Sequence, residues 1–198
     1  MGVCKVKPVW SRAVFLDRDG VLNRSVVRGG KPYPPSSVDE LEILPGVPEA
    51  LRRLKESGFL LIGATNQPDV ARGAQSLEVV EQIHMALLRV LPLDEIFACY
   101  HDDSHNCSCR KPRPGLLLKA AEKYAISLET SFMVGDRWRD VAAGQNAGCK
   151  TVFIDYGYLE RCSKKPPDLT VNSLVESVDW ILSKQKTLGG EDERTVRA

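Results

Sequence analysis

Long apolar runs are missing from this chain. Nothing approaches the ~18 consecutive residues that a membrane span needs, and the longest candidate, FLLIGA at 59–64, has the length of a buried strand. Charge of one sign is missing too: 27 Lys and Arg stand against 26 Asp and Glu, a net charge of +1. With a pI near 7.6, a general binder of nucleic acid or anionic membrane is disfavoured. The opening MGVCKVKPVWSR contains no apolar h-region, so no secretory leader is expected. Val6 stands where a myristoylation signal would place Ser or Thr. The expected setting is the cytoplasm, with neither membrane nor nucleic acid as partner.

What is present suits one globular domain. At 198 residues, 43% hydrophobic and 27% charged, such a chain buries roughly 70% of its unfolded surface without disulfide staples. Cysteines stand at 4, 99, 107, 109, 149 and 162. In a reducing compartment the cluster at 99, 107 and 109 reads as metal ligands before disulfides. Residues 1–183 read as a single domain, and the polar 184–198 as a frayed tail.

Strand and helix signals alternate. Apolar runs at 13–17, 59–64, 95–100, 131–135 and 151–154 read as buried strands. Helical spacing covers 47–57, 77–91 with Ser76 as N-cap, about 115–124, 139–147 stopped by Gly148, and a last helix opened by the capping box Ser173-Leu174-Val175-Glu176. The segment GGKPYPPSS at 29–37 reads as a turn-rich loop. Five strands alternating with helices imply an α/β fold, a doubly wound, Rossmann-like parallel sheet in a three-layer sandwich. Ligands of such sheets bind beyond the carboxyl ends of the strands.

Those ends carry chemistry. The first gives Asp17-Arg18-Asp19-Gly20, an acid pair for which Mg²⁺ is the natural counterion. By itself, D-x-D-G is also a common solvated turn. The second gives Thr65-Asn66-Gln67, neutral donors for phosphate oxygens. Lys111 follows the third after a loop, and the fourth ends in Gly135-Asp136-Arg137-Trp138-Arg139-Asp140. Acid pair, hydroxyl and amide, lysine and acid converge on one crevice.

This constellation resembles the haloacid dehalogenase superfamily of phosphatases: FLDRDGVLN, TNQ, RKP and GDRWRD match its four motifs, from residue 13 to about 154. The resemblance implies Asp17 as nucleophile and Asp19 as acid/base, with Thr65 and Lys111 completing the catalytic set. It also implies Mg²⁺ held by Asp17, the Asp19 carbonyl and Asp136. Asp140 has two readings, positioning a water at the metal or capping the following helix.

Between the third strand and Lys111, Cys99, His101, Cys107 and Cys109 make a Cys₃His set of the closed, structural zinc type. His105 competes with His101, and reduced thiols or a redox pair at Cys107 and Cys109 are the plainer alternatives. Zinc here would hold Arg110 and Lys111 in place.

A zinc loop directly before RKP looks like the heptose 1,7-bisphosphate phosphatase branch of the histidinol-phosphatase-related group. These members are capless, and the 47 residues from Asp17 to Thr65 and 45 from Thr65 to Lys111 leave no room for a cap. Capless members can work as monomers. The resemblance implies a small phosphorylated sugar held by Ser25, Arg28, Thr65, Asn66, Gln67, Arg110, Lys111 and Arg137. Arg28 and Lys31 could clasp a distal phosphate or form a solvated loop, and Trp138 could stack on substrate or pack under a loop. TNQPDVARG and the loop 23–33 depart from the branch's usual pattern. Histidinol phosphate or another sugar phosphate is the alternative substrate, and a zinc-loop binding module is the non-enzymatic reading.

Overall fold

A computed structural model describes residues 11–160 and 163–188; Cys4, Cys162, the N-terminal readings and the chain beyond 188 lie outside the described residues. Eight strands occur among the described residues: β1 (Ala13–Leu16), β2 (Val26–Arg28), β3 (Lys31–Tyr33), β4 (Leu60–Asn66), β5 (Glu95–Cys99), β6 (Phe132–Gly135), β7 (Lys150–Ile154) and β8 (Leu169–Val171). Six form one parallel sheet in the order β5-β4-β1-β6-β7-β8. The order reverses about β1, which opens a crevice at its carboxyl end.

β1 is buried on both faces, so its run is continuously apolar rather than alternating. Its side chains nonetheless serve two cores in period 2. Val14 and Leu16 pack with α1 (Val47–Glu56), α2 (Leu77–Val90) and α5 (Leu174–Leu188), through Leu51, Leu54, Ile83, Leu87, Val178 and Ile181. Ala13 and Phe15 face the other way, onto Leu116, Leu117 and Ala120 of α3 (Gly115–Tyr124). α4 (Trp138–Ala147) packs on that second side, where a Cβ on Gly144 would lie 2.7 Å from Met133 and Thr151 side-chain carbons. Helices thus cover both faces, as the alternation predicts.

The caps follow from sequence. Ser76 Oγ accepts the Val79 N–H at 3.2 Å and Ser173 Oγ accepts the Glu176 N–H at 3.3 Å. The Glu176 carboxylate reaches back to the Asn172 N–H rather than to the Ser173 N–H.

Three expectations change. A sixth strand, β8, joins the sheet edge. The 29–37 loop begins as one arm of a hairpin, β2 paired antiparallel with β3. The last helix continues to Leu188 instead of fraying at 184. There the Lys184 ammonium sits 5.5 Å from the Trp180 ring centre and Ser183 Oγ bonds back to the Trp180 carbonyl, so polar composition does not end the helix.

Candidate active site

β1 ends directly in Asp17, which is 8% exposed, and β6 ends in Gly135 before Asp136, which is 1% exposed. Asp17, Asp136 and Asp140 bring carboxylate oxygens within 4.8 Å of one another. Glycines make room for this crowding. A Cβ on Gly20, at φ +85°, would lie 2.0 Å from Asp136 Oδ2, and one on Gly135 would lie 2.1 Å from Asp140 Cβ.

Lys111 is the cation inside the cluster. Its Nζ lies 2.8 Å from Asp17 Oδ1, 2.6 Å from Asp140 Oδ1 and 2.6 Å from the Ala64 carbonyl. Burial works against its charge, but Asp140 and Asp17 outweigh it and hold the ammonium firmly protonated. Asp17 Oδ1 also accepts the Arg18 backbone N–H at 2.8 Å. Of the two readings of Asp140 the geometry shows the cap, Oδ2 accepting the Arg137 N–H at 3.0 Å at the start of α4, while Oδ1 is occupied by Lys111.

One lysine does not balance three acids. Burial pushes Asp136 well above the usual carboxylate range, and the Asp17 and Asp140 charges add to it. Burial likewise raises Asp140, to about 6, with Asp17 next. Neither Asp136 oxygen meets a hydrogen-bond donor, although buried polar atoms are normally satisfied. A buried, unpartnered carboxylate aimed at two others is the donor set of a hard divalent cation such as Mg²⁺.

Asp19 is treated differently. Arg18 donates to it from Nε at 3.1 Å and from NH2 at 2.8 and 3.0 Å, Asn23 from Nδ2 at 2.9 Å and Gln67 from Nε2 at 2.9 Å. Burial opposes its charge, yet Arg18 and these donors hold its pKa below the ordinary value. Thr65 is buried beside it and accepts from the same Gln67 amide at 2.9 Å.

Asn66 makes a reciprocal pair with the lysine's backbone. Its Oδ1 accepts the Lys111 N–H and its Nδ2 donates to the Lys111 carbonyl, both at 3.0 Å. The expected phosphate donor therefore also fastens the loop to the sheet.

The thiol cluster lies just upstream. Cys99 Sγ is 3.6 Å from Cys107 and 3.2 Å from Cys109, which are 3.4 Å from each other. His101 Nδ1 is 3.7 Å from Cys99 and 3.5 Å from Cys109. A tetrahedral zinc with ~2.3 Å Zn–S and ~2.0 Å Zn–N bonds sets its donors about 3.5–3.8 Å apart; the observed 3.2–3.7 Å is a slightly tighter set of the same donor type. His105 is turned elsewhere, its Nδ1 2.7 Å from Asp102. For Cys107, burial is outweighed by hydrogen bonds from Cys109 and the Arg110 backbone, which bring its thiol down to about 7.

Known proteins are similar to this chain. The HAD-hydrolase-like family matches residues 108–177. A D-glycero-beta-D-manno-heptose-1,7-bisphosphate 7-phosphatase of Helicobacter pylori J99 is 37% identical over 179 residues, covering 86% of this chain and 97% of that one. The protein of that name from Escherichia coli K12 is 35% identical over 188 residues, covering 88% and 95%. The chain belongs to the haloacid dehalogenase-like phosphatases. A structural neighbour agrees: D,D-heptose 1,7-bisphosphate phosphatase from B. bronchiseptica, complexed with magnesium and phosphate, superposes with a TM-score of 0.70 at 29% identity, over 87% of this chain and 99% of that one.

Around the phosphatase acid cluster, the cleft is lined by most of the residues expected from sequence, including Ser25, Thr65, Gln67, Arg110 and Arg137. Ser25 is buried with its Oγ unpartnered. Arg28 is the correction. It is exposed, lies outside the lining, and sets its guanidinium 5.9 Å from the Tyr33 ring centre. Lys31, its partner across the hairpin, does line the cleft. Arg137 lines the cleft but pairs with Glu160.

Sequence reasoning missed Arg72 and Arg139. Both line the cleft, Arg72 paired with Asp69 at 3.2 Å and Arg139 with Asp103 at 3.2 Å. Arg110 also binds Asp103, at 2.8 Å, and its NH1 is buried without a partner. Arg72 stands in TNQPDVARG, within a loop at 67–73 suited to specificity in a capless chain, but the string does not single it out. Arg139 lies one turn inside GDRWRD and carried no separate signal.

Proposed function

We propose that the chain is a Mg²⁺-dependent phosphatase that removes the 7-phosphate of D-glycero-D-manno-heptose 1,7-bisphosphate through an aspartyl-phosphate on Asp17. The observation that carries the chemistry is the buried, unpartnered Asp136 carboxylate facing Asp17 beside a saturated Lys111. The relatives of that activity, matched over nearly their full lengths, support the substrate.

Asp17 attacks phosphorus in line, and the bond from phosphorus to the sugar oxygen breaks. Asp19, protonated when the substrate is bound, gives that oxygen its proton and is left as the carboxylate that the free site favours; it then takes a proton back from the water that hydrolyses the acyl phosphate and releases inorganic phosphate. Lys111 holds Asp17 oriented by Oδ1 and offsets charge on the transferring group. Thr65 and Asn66 orient phosphate oxygens. Asp17, the Asp19 carbonyl and Asp136 are the ligands that suit Mg²⁺. When bound, the ion neutralises the repulsion between carboxylate and phosphate. Arg110, with Ser25, Gln67 and Arg137 about the sugar, is placed to receive the distal phosphate, and its free NH1 supports that role. Zn²⁺ on Cys99, His101, Cys107 and Cys109 is read as a structural ion that orders the loop carrying Arg110 and Asp103. We read residues 1–183 as one capless domain acting as a monomer in the cytoplasm.

The test is phosphate release with Mg²⁺ from both anomers of the heptose bisphosphate, histidinol phosphate and a panel of sugar phosphates, with Asp17→Asn alongside. One preferred bisphosphate, and loss of at least ~10³-fold in the variant, are expected. Preference for histidinol phosphate would overturn the substrate. Release from none by folded protein would overturn the enzyme.

A further inference from the structure

Asp19 is held from behind by a line of side chains that the reaction does not itself require. Arg18 is fully buried. Its Nε and NH2 are spent on Asp19, and its remaining nitrogen, NH1, lies 3.3 Å from Nε2 of His84 in α2. A guanidinium has five N–H donors and no acceptor, so His84 Nε2 must accept and the ring proton sits on Nδ1. That Nδ1 lies 3.6 Å from Glu81 Oε1, and Glu81 in turn accepts the Tyr100 hydroxyl. Burial, with the Arg18 charge next, pushes His84 down to about 4, so the ring is neutral at ordinary pH. The line thus runs from half-exposed Glu81 through His84 and Arg18 to Asp19, and enters from a helix that contributes no residue to the cleft lining.

We propose that His84 is a positioning residue for phosphoryl transfer: by accepting from NH1 it fixes the Arg18 fork, and the fork fixes the angle from which Asp19 delivers its proton. The other buried side chains of α2, Val80, Ile83 and Leu87, are apolar. A residue serving only to fill space at position 84 would need no acceptor. Without one, a fully buried charged donor is left unpaired, and the guanidinium turns to find water or a carbonyl, taking Asp19 with it. The inference rests on the acid/base reading of Asp19 given above.

The experiment compares kcat/KM for two leaving groups, because this ratio reports the step that phosphorylates Asp17. A sugar alkoxide needs the proton; the phenolate of p-nitrophenyl phosphate leaves without it. His84→Leu is expected to cost about 10–100-fold on the sugar phosphate and less than about 3-fold on p-nitrophenyl phosphate, while His84→Gln, which keeps an acceptor, restores the sugar phosphate to within about 3-fold. Glu81→Ala, on the exposed side of α2, gives a smaller loss with the same selectivity and covers the case in which His84→Leu fails to fold. Equal losses on both substrates, no loss, or Gln as poor as Leu would overturn the proposal. Asp19→Asn separates the two readings. If it shows no leaving-group selectivity, the acid/base assignment fails and this inference with it; if it alone shows selectivity, only His84 is wrong.

Discussion

The acid cluster and the thiol cluster, separated along the chain by Arg110 alone at the step from Cys109 to Lys111, solve opposite problems. Asp17, Asp136 and Asp140 are fixed by the rigid ends of β1 and β6 and the first turn of α4, and they repel one another in a buried place. Cys99 ends β5, while His101, Cys107 and Cys109 sit on the following loop, whose only regular piece is a single 3-10 turn at Asp103–His105, and the four side chains partner one another. A cation in the first relieves charge without having to shape the backbone. A cation in the second binds the cysteines as thiolates and draws the loop onto the end of β5. Preorganisation by a sheet and organisation by an ion are therefore expected to fail differently.

The largest contrast comes from Asp136→Asn. Activity is expected to fall by ~10³-fold or more, because the cation site loses a charged ligand. The same variant is expected to melt about 2–6 °C higher than wild type when both are stripped of divalent ions. The sign follows from the raised carboxyls. Asp136 and Asp140 bind protons more tightly folded than unfolded, so their cost is absent at low pH and builds as pH rises through the ordinary carboxylate range; for Asp140 it builds through about 6, and for Asp136 it goes on building as the pH climbs well above the ordinary carboxylate range. Thermal scans with and without Mg²⁺ check it. Wild type is stabilised by about 2.7 kcal/mol at a hundredfold excess over Kd, and the variant little; a variant less stable than metal-free wild type would remove the electrostatic account.

Removal of the proposed zinc is the next effect. Arg110 depends on Asp103 of the zinc loop, whereas Lys111 is held by the sheet through Asn66 and Ala64. Stripping zinc, or Cys109→Ser, is expected to raise KM for the bisphosphate about 10-fold and to lower kcat no more than about 3-fold, the loss of one charge-assisted contact. A fall in kcat with KM unchanged would show that the loop holds the lysine instead. Smallest is Arg28→Ala. Outside the cleft, it is expected to change KM by less than about 2-fold, against at least about 10-fold for Arg110→Ala.

The same division sorts what could be read from the chain. Strands fixed by burial were legible: β1, β4 and β6 are apolar runs ending in the residues that do the chemistry. Elements lacking that signal were not. β8 is three residues, none buried, and the β2–β3 hairpin is largely exposed, so neither carries a hydrophobic period. Site residues expected at strand ends do lie together, because topology dictates their convergence. Arg72, Arg139 and Asp103 did not, since each reaches the cleft from a loop or helix start through ion pairs that spacing does not encode. Arg28 failed for a related reason: a charge on an exposed hairpin gives no sign of which way it points.

The reciprocal amide pair between Asn66 and Lys111 also bears on how such a protein can change over time. It works as an extra rung of the sheet, placed where no strand exists, and it anchors the lysine from the side opposite the loop. Residues 100–109 are thereby released from guarding the chemistry. A lineage could rewrite that segment, lengthen it or exchange its metal while it explores new substrates, and the lysine would stay in register throughout. Ancestry of the reaction and ancestry of the specificity can then follow separate histories within a single stretch of chain.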